Sequence, residues 1–200
     1  KSGDMGEGAS GVVEQAQQER EDRLEVEQAG QFDCASGKRG DKTGADPTNR
    51  GKYGVKRHIL SDGRGTPLGV CISAANVHDC KMAVKTMDAV PLVRGKVGRP
   101  RKRPHKVVAD KGYDSDPLRK EFRRRGVQPH FFKRKEKGSK EEPRENGKLN
   151  GKRWQIERTM SWINQNRRLK IRYERYSEIY HAFLLIACAK ICIRRLYDHF

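Results

Sequence analysis

Two acidic residues stand where the chain could do chemistry. Asp110 closes the short apolar run Lys106-Val-Val-Ala109 and opens the turn Lys111-Gly-Tyr113, the pattern of a buried strand leaving its sheet. In open α/β sheets reactive groups collect at the carboxyl ends of strands. A carboxylate held there suits a hard cation such as Mg²⁺, which takes oxygen ligands and keeps waters for a phosphate. The plainer alternative is that Asp110 only opens a turn. Glu157 lies in Arg153-Trp-Gln-Ile-Glu157-Arg158, where Arg153 and Glu157 share one face of a predicted helix. An Arg one turn from a carboxylate can hold it ionised and also touch a phosphate. The alternative is an ordinary surface ion pair, worth under about 1 kcal/mol.

A third candidate is Gly98-Arg-Pro-Arg-Lys-Arg-Pro104, whose prolines keep the backbone extended while the cations fan outward, a shape suited to a narrow A·T minor groove. A basic linker that neutralises phosphates without sequence preference is the favoured alternative. Arg123, Arg124, Arg125, Arg167, Arg168, Lys170 and Arg172 add charge of one sign on predicted helices, where a solvated face is the default reading. His78-Asp79 could be a metal pair, but adjacent helical residues point apart, and capping and packing is the stronger reading. Cys188 and Cys192 sit one turn apart in an apolar helix without acidic or His partners, and read as core.

The elements that must position these residues follow from punctuation and periodicity. Val55 to Leu60, the turn Asp62-Gly63-Arg64-Gly65 and Leu68 to Ile72 predict a hairpin. Val77 to Val90 predicts a helix ended by Pro91. Residues 94–106 and 133–148 predict loops. Asp116 before Pro117 predicts an N-cap and first turn, Gly126 a C-terminal stop, and Val127 to Phe132 a further strand. Ile156, Met160 and Ile163 form one helical stripe. The last helix, about Ser177 to Tyr197, is apolar on nearly all sides and is expected to be buried. Residues 1 to about 30 are polar and Gly-rich and predict a tail or a short solvated helix. The order of elements is that of an α/β domain.

Composition narrows the partner. With 44 Lys and Arg against 26 Asp and Glu the 200-residue chain carries a net charge of +18, which points to a polyanion. No apolar stretch, the longest being Ala182 to Ile193, reaches the roughly 20 residues that span a bilayer. A membrane protein is not expected, nor is a secretory signal at the start. The 5 cysteines show no close Cys-x-x-Cys pair, which predicts free thiols in a reducing compartment. At 7% aromatic residues the chain lacks the base-stacking surface of a generic RNA binder.

Five strings in order resemble the DDE transposases of bacterial insertion sequences, in the group named after insertion sequence five. They are Thr43-Gly-Ala-Asp-Pro-Thr-Asn-Arg-Gly-Lys-Tyr-Gly-Val-Lys-Arg-His58, Ala75-Asn-Val-His-Asp79, Gly98-Arg-Pro-Arg-Lys-Arg-Pro104, Ala109-Asp-Lys-Gly-Tyr-Asp114 and Ile156-Glu-Arg-Thr-Met-Ser-Trp162. The resemblance continues through Arg167-Arg-Leu and Arg172-Tyr-Glu, so it covers residues 29–200 and leaves 1–28 as a poorly ordered tail or remnant. It implies a ribonuclease H-like α/β fold, a mixed sheet flanked by helices, in which three carboxylates bind two divalent cations, Mg²⁺ or Mn²⁺. It also implies cleavage at element ends with strand transfer into target DNA, double-stranded DNA as partner, and a homo-dimer or higher assembly. The implied setting is the bacterial cytoplasm, in association with the nucleoid.

By motif, Asp110 resembles the second Asp, Glu157 the Glu, and Arg153 the Arg that precedes it. The tyrosine and lysine that flank them in many relatives fall at Asn150 and Asn164 and do not match. The first Asp, carried by relatives in an Asp-Gly pair, falls at Ala29-Gly30. Asp33, four residues on, is the substitute that completes the candidate metal-binding and catalytic set of Asp110, Glu157 and Asp33. DNA contacts are expected at Lys56, Arg57, Arg99, Arg101, Lys102, Arg103, Arg153 and Arg158. Impaired catalysis is expected from Ala29 unless Asp33 substitutes, and the alternative is an inactive DNA-binding remnant that still binds element ends.

Overall fold

The computed structural model describes residues 27–35, 40–47, 49–92, 103–133 and 153–197, with residues 27–35 and Arg153 described through their backbone only. In chain order the elements are β1 (Glu27–Ala35), β2 (Gly44–Ala45), β3 (Tyr53–Ser61), β4 (Pro67–Ala74), α1 (Cys80–Asp88), β5 (Lys106–Ala109), a single 3-10 turn (Lys111–Tyr113), α2 (Asp116–Arg124), β6 (Gln128–Phe131), α3 (Arg153–Asn164), α4 (Arg167–Lys170) and α5 (Ser177–Tyr197). They build one mixed sheet. β4 and β2 pair antiparallel with β3, and β3 pairs antiparallel with β1. β1 then pairs parallel with β5, and β5 parallel with β6. The α/β class expected from the sequence is the class observed.

The hairpin forms as its turn residues dictate. Asp62 Oδ1 accepts the backbone N–H groups of Arg64 (2.9 Å) and Thr66 (2.8 Å), and Gly65 takes the left-handed φ of +83° that a side chain would resist. Alternation along β3 then sends neighbours to opposite faces. Ile59 joins a cluster with Val70, Ile156, Met160, Ile163 and Leu184 under α3 and α5. Leu60 joins another with Met87, Val107, Tyr113, Phe122 and Phe131 under α1 and α2. The predicted stripe of Ile156, Met160 and Ile163 is the buried face of α3. Gly126, at φ +77°, follows the end of α2.

Four expectations are corrected. Chain that read as a tail up to about residue 30 is already strand at Glu27, and β1 lies at the centre of the sheet between β3 and β5. Glu27, Gln28, Gly30, Gln31 and Asp33 hide such a strand from periodicity, because its pairing comes from both flanks and not from its own apolar pattern. Second, α2 is preceded by Ser115 at the N-cap position, and Asp116 is already helical. Third, Arg172 is not on a solvated face. It is fully buried, and its guanidinium donates to the carbonyls of Glu174 (2.8 Å), Asp41 (2.8 Å) and Arg175 (3.1 Å). A buried cation is tolerable when every donor finds such an acceptor. Fourth, α5 buries only the face of Tyr180, Leu184, Ala187, Cys188 and Ile191, while Ile179, Ile186, Ile193 and Leu196 on its other side are exposed.

Among the described residues no helix is long and apolar enough to cross a membrane. The four described cysteines are free thiols; Cys71 and Cys188 are buried, Cys188 as expected of core, whereas Cys192, expected there with it, is only half-buried, and burial pushes the Cys188 thiol up to about 12. The basic stretch 93–102, with Arg99, Arg101 and Lys102, and the predicted loop at 134–148 lie outside the described residues.

Candidate active site

Asp110 sits where β5 ends. It occupies the N-cap position of the 3-10 turn with an extended backbone, φ −69° and ψ 171°, yet its carboxylate takes no capping hydrogen bond. It is exposed, whereas the three residues before it are buried. An aspartate at a cap position that does not cap keeps its lone pairs for another partner. The turn behind it is anchored by Tyr113, a phenol buried between sheet and helices, with ring centroids 6.4 Å from Phe131. Burial, and after it the charge of Asp79, pushes the Tyr113 hydroxyl far above its ordinary range, so it stays neutral; Asp110 adds to the same effect.

Asp79 closes the turn from the other side. Its carboxylate lies so near Gly112 that a Cβ there would meet Oδ2 at 3.1 Å, and the Cys80 thiol donates to the Gly112 carbonyl at 3.1 Å. Lys56 Nζ pairs with Asp79 Oδ1 at 3.3 Å and donates to the Val77 carbonyl at 3.2 Å. Sequence reasoning assigned Asp79 to capping and packing. Its ion pair with a residue of β3 has no local signal, because Lys56 and Asp79 are joined only by the fold.

Glu157 is exposed on α3, the helix that packs across β1. Three contacts on the rest of α3 fix where Glu157 stands. Thr159 Oγ1 donates to the Gly65 carbonyl at 2.6 Å, and Arg158 Nη2 to the Arg64 carbonyl at 2.6 Å, so the hairpin turn grips the middle of the helix. At its end, Arg57 Nη2 donates to Asn164 Oδ1 at 2.6 Å. A lysine at 164 could not accept that bond and would set a second cation against the buried Arg57. The absence of the family's lysine therefore matches this chain's own interior.

The candidate DNA-contacting residues fall into two groups. Lys56, Arg57 and Arg158 are engaged within the fold; Arg57 is buried, and Arg158 lies between the rings of Trp154 (4.3 Å) and Trp162 (4.8 Å). Arg103 is exposed, beside the basic stretch that precedes it. Arg153 opens α3 one turn before Glu157.

Backbone register locates the two positions at which the sequence leads one to expect a first acid. Ala29 is paired with Ala109 on β5 and with Leu60 on β3, so residue 29 lies on the strand next to Asp110 and one residue from its level. Asp33 is paired with Lys56, four residues and about 13 Å further along β1 at the rise of an extended strand. Among the described residues no three His, Cys, Asp or Glu side chains form a metal-binding group.

Comparison with known proteins gives the family. The chain matches the family described as Transposase DDE domain across residues 22–191, which takes in β1, the Asp110 turn and α3. It is also 43% identical over 152 residues to a Burkholderia cepacia protein described as a transposase for insertion sequence element IS402, covering 76% of this chain and 68% of that relative. With the match spanning most of its length, and Asp110 and Glu157 inside it, this chain belongs to the DDE transposase family.

Proposed function

We propose that this chain is the catalytic domain of an insertion-sequence transposase with a ribonuclease H-like fold. It acts on double-stranded DNA at element ends and on target DNA, and alanine at residue 29 leaves its catalysis strongly impaired. The observation that carries the reading is the register of β1 on β5, which puts residue 29 on the strand beside Asp110. An antiparallel set of β4, β3 and β1 continued by parallel β5 and β6, with helices on both faces, supports the fold assignment.

Asp110 and Glu157 are hard oxygen donors of the kind Mg²⁺ or Mn²⁺ takes, and the uncommitted carboxylate of Asp110 suits such a ligand. Two such cations, when bound, polarise the scissile phosphate and stabilise the attacking and departing oxygens. The chain's own part is placement. The turn anchored by Tyr113 holds Asp110, and the hairpin grip on Arg158 and Thr159 holds Glu157. Arg153, one turn before Glu157 in the chain, supplies a cation suited to the phosphate of a bound strand. Arg99, Arg101, Lys102 and Arg103 neutralise the DNA backbone, while Lys56, Arg57 and Arg158 act from inside, as supports of the elements that carry the acids. Asp33, level with Lys56, is the only substitute third acid this reading keeps.

The test is a nicking and strand-transfer assay on DNA carrying the ends of the encoding element, with Mg²⁺ or Mn²⁺. Ala29→Asp is expected to raise the cleavage rate by at least about 100-fold, and Asp110→Ala in that background to abolish it. Cleavage by the unaltered chain at the rate of Ala29→Asp would overturn the impairment, and its loss on Asp33→Asn would then make Asp33 the third acid. The second reading, a DNA-binding protein that occupies element ends without cutting, is favoured by Ala29 itself. End binding without nicking, with nicking restored by Ala29→Asp, would establish it for the unaltered chain.

A further inference from the structure

The segment that joins α4 to α5 is held more firmly than a link between two helices requires. Arg172 is fully buried, and its guanidinium donates to the carbonyls of Glu174, Asp41 and Arg175 at 2.8, 2.8 and 3.1 Å. Asp41 answers from its own side: its backbone N–H donates to the Arg175 carbonyl at 3.2 Å, and its Oδ2 accepts the Ser177 N–H at 2.9 Å. Gly40 comes so close that a Cβ there would meet the Arg175 carbonyl oxygen at 2.5 Å. Glu174 also turns inward, accepting the Tyr173 N–H at 3.2 Å and pairing with Arg168 at 3.1 Å. Burying a cation to fix a surface segment is costly, so the residues that this segment turns outward are the ones to account for.

Alternate residues face out. Ile171, Tyr173 and Arg175 are exposed with Arg172 and Glu174 buried between them, and Tyr176 is exposed at the end. Tyr173 is 55% and Tyr176 62% exposed. Aromatic residues are 7% of the chain, so two bared rings within four residues are a local concentration. Arg167, Arg168, Lys170 and Arg175 are exposed around them, against Glu178 as the one exposed acid from 167 to 178. Rings set among cations suit a nucleic-acid strand whose bases lack a complement, since bases stack on the rings and phosphates pair with the cations. In a duplex the base faces are covered by their neighbours, and rings of this kind have nothing to stack on. The segment also stands at the Asp110 end of the sheet. β1 and β5 run parallel, Asp110 follows β5, and the turn at 40–43 that holds Arg172 follows β1. Gly44 and Ala35 both pair with Gly54, six residues or about 20 Å beyond Ala29 at the rise of an extended strand.

We propose that Tyr173 and Tyr176, with the cations of Lys170 and Arg175, form a platform that binds unpaired DNA bases. The naming of DNA as the strand rests on the function proposed above, whereas the platform is separate from the duplex contacts expected at 99–103. Tyrosine and arginine together also suit a protein partner, but the excess of positive charge favours a polyanion.

The test is fluorescence anisotropy of the full chain, with EDTA present to prevent cleavage, on two DNAs. One is a duplex of the ends of the encoding element, and the other is the same duplex with a short unpaired tail carrying 2-aminopurine. The tail is expected to tighten binding at least about 10-fold, and stacking to quench the 2-aminopurine fluorescence. Tyr173→Ala and Tyr176→Ala should each remove most of that gain, Tyr173→Phe and Tyr176→Phe should keep it, and all should leave duplex affinity within about twofold. Circular dichroism checks that each variant folds. Duplex binding with no gain from the tail, or a gain that survives both alanine variants, would overturn the platform alone. Failure to bind either DNA would overturn the DNA reading together with it. Alanine variants that alter the sedimentation of the chain but not its hold on the tail would assign the rings to a protein contact, and so overturn the platform as well.

Discussion

The two faces of the sheet hold their acidic residues by different physics. On the face of α1 and α2 the Asp110 turn rests on packed rings and aliphatic chains: Tyr113, Phe122 and Phe131, with Phe122 edge-on to Phe131 at 5.5 Å, among Leu60, Met87 and Val107. On the face of α3 and α5 the helix of Glu157 also packs on apolar residues, but its placement is set by hydrogen bonds reaching over long sequence distances. Arg158, Thr159 and Arg195 all donate to carbonyls of the hairpin turn, and Arg57 donates to Asn164. Packing is non-directional and resists loss of volume. Hydrogen bonds to fixed carbonyls are directional and resist sliding or rotation. The first face should therefore govern how stable the domain is, and the second how accurately Glu157 is placed.

The largest effect is expected at Phe122. Phe122→Ala empties the centre of the first face and should cost about 3–5 kcal/mol, read as a lower urea midpoint. A loss under about 1 kcal/mol would break the comparison at its strongest point. On the second face, Arg172→Met removes the donor shared by three carbonyls and should cost about 3 kcal/mol. Arg172→Lys, with its compact ammonium, should recover only part of that loss; full recovery would show that charge alone, without the fork of donors, suffices there.

The first face also has a pH signature. His58, whose Nε2 lies 2.8 Å from Ser73 Oγ, is held down to about 4, first by burial and then by Lys56. The unfolded chain, with an ordinary His near 6.5, binds the proton more readily than the folded one. Its contribution is therefore complete above about 6.5 and is lost as pH falls from there toward about 4, by up to about 3 kcal/mol. Urea titrations across that window should show the fall, and a His58→Gln variant should flatten it. The smallest stability effect, about 1 kcal/mol, is expected for Thr159→Val, which removes the 2.6 Å bond to Gly65. In the Ala29→Asp background it should nonetheless slow nicking several-fold more than that stability loss explains. Equal rates would mean that the hairpin grip does not position Glu157.

Much of this was legible from local pattern. Asp62 to Gly65 announces its turn by residue type, Ile156, Met160 and Ile163 announce a helical stripe, and Val107 to Ala109 announces a strand that stops at an acid. Each of these signals lies within a few residues of its effect. β1 was not legible, since Glu27 to Ala35 has little apolar pattern and becomes a strand because β3 and β5 pair with it on both sides. The fates of the arginines were equally hidden. Arg167 and Arg172 carry the same side chain in the same basic stretch, yet the first is exposed and the second fully buried. What separates them is the Asp41 carbonyl, which reaches Arg172 from the far side of the chain.

The sequence by itself determined the α/β order, the hairpin, the buried stripe of α3 and the strand that stops at Asp110, because turn chemistry and apolar period act between near neighbours. Only the tertiary structure decided that residue 29 lies beside Asp110, that Lys56, Arg57, Arg158 and Arg172 turn inward, and that one whole side of α5 stays open. Strand pairing and the desolvation of a cation depend on partners tens of residues away, and no local pattern carries them.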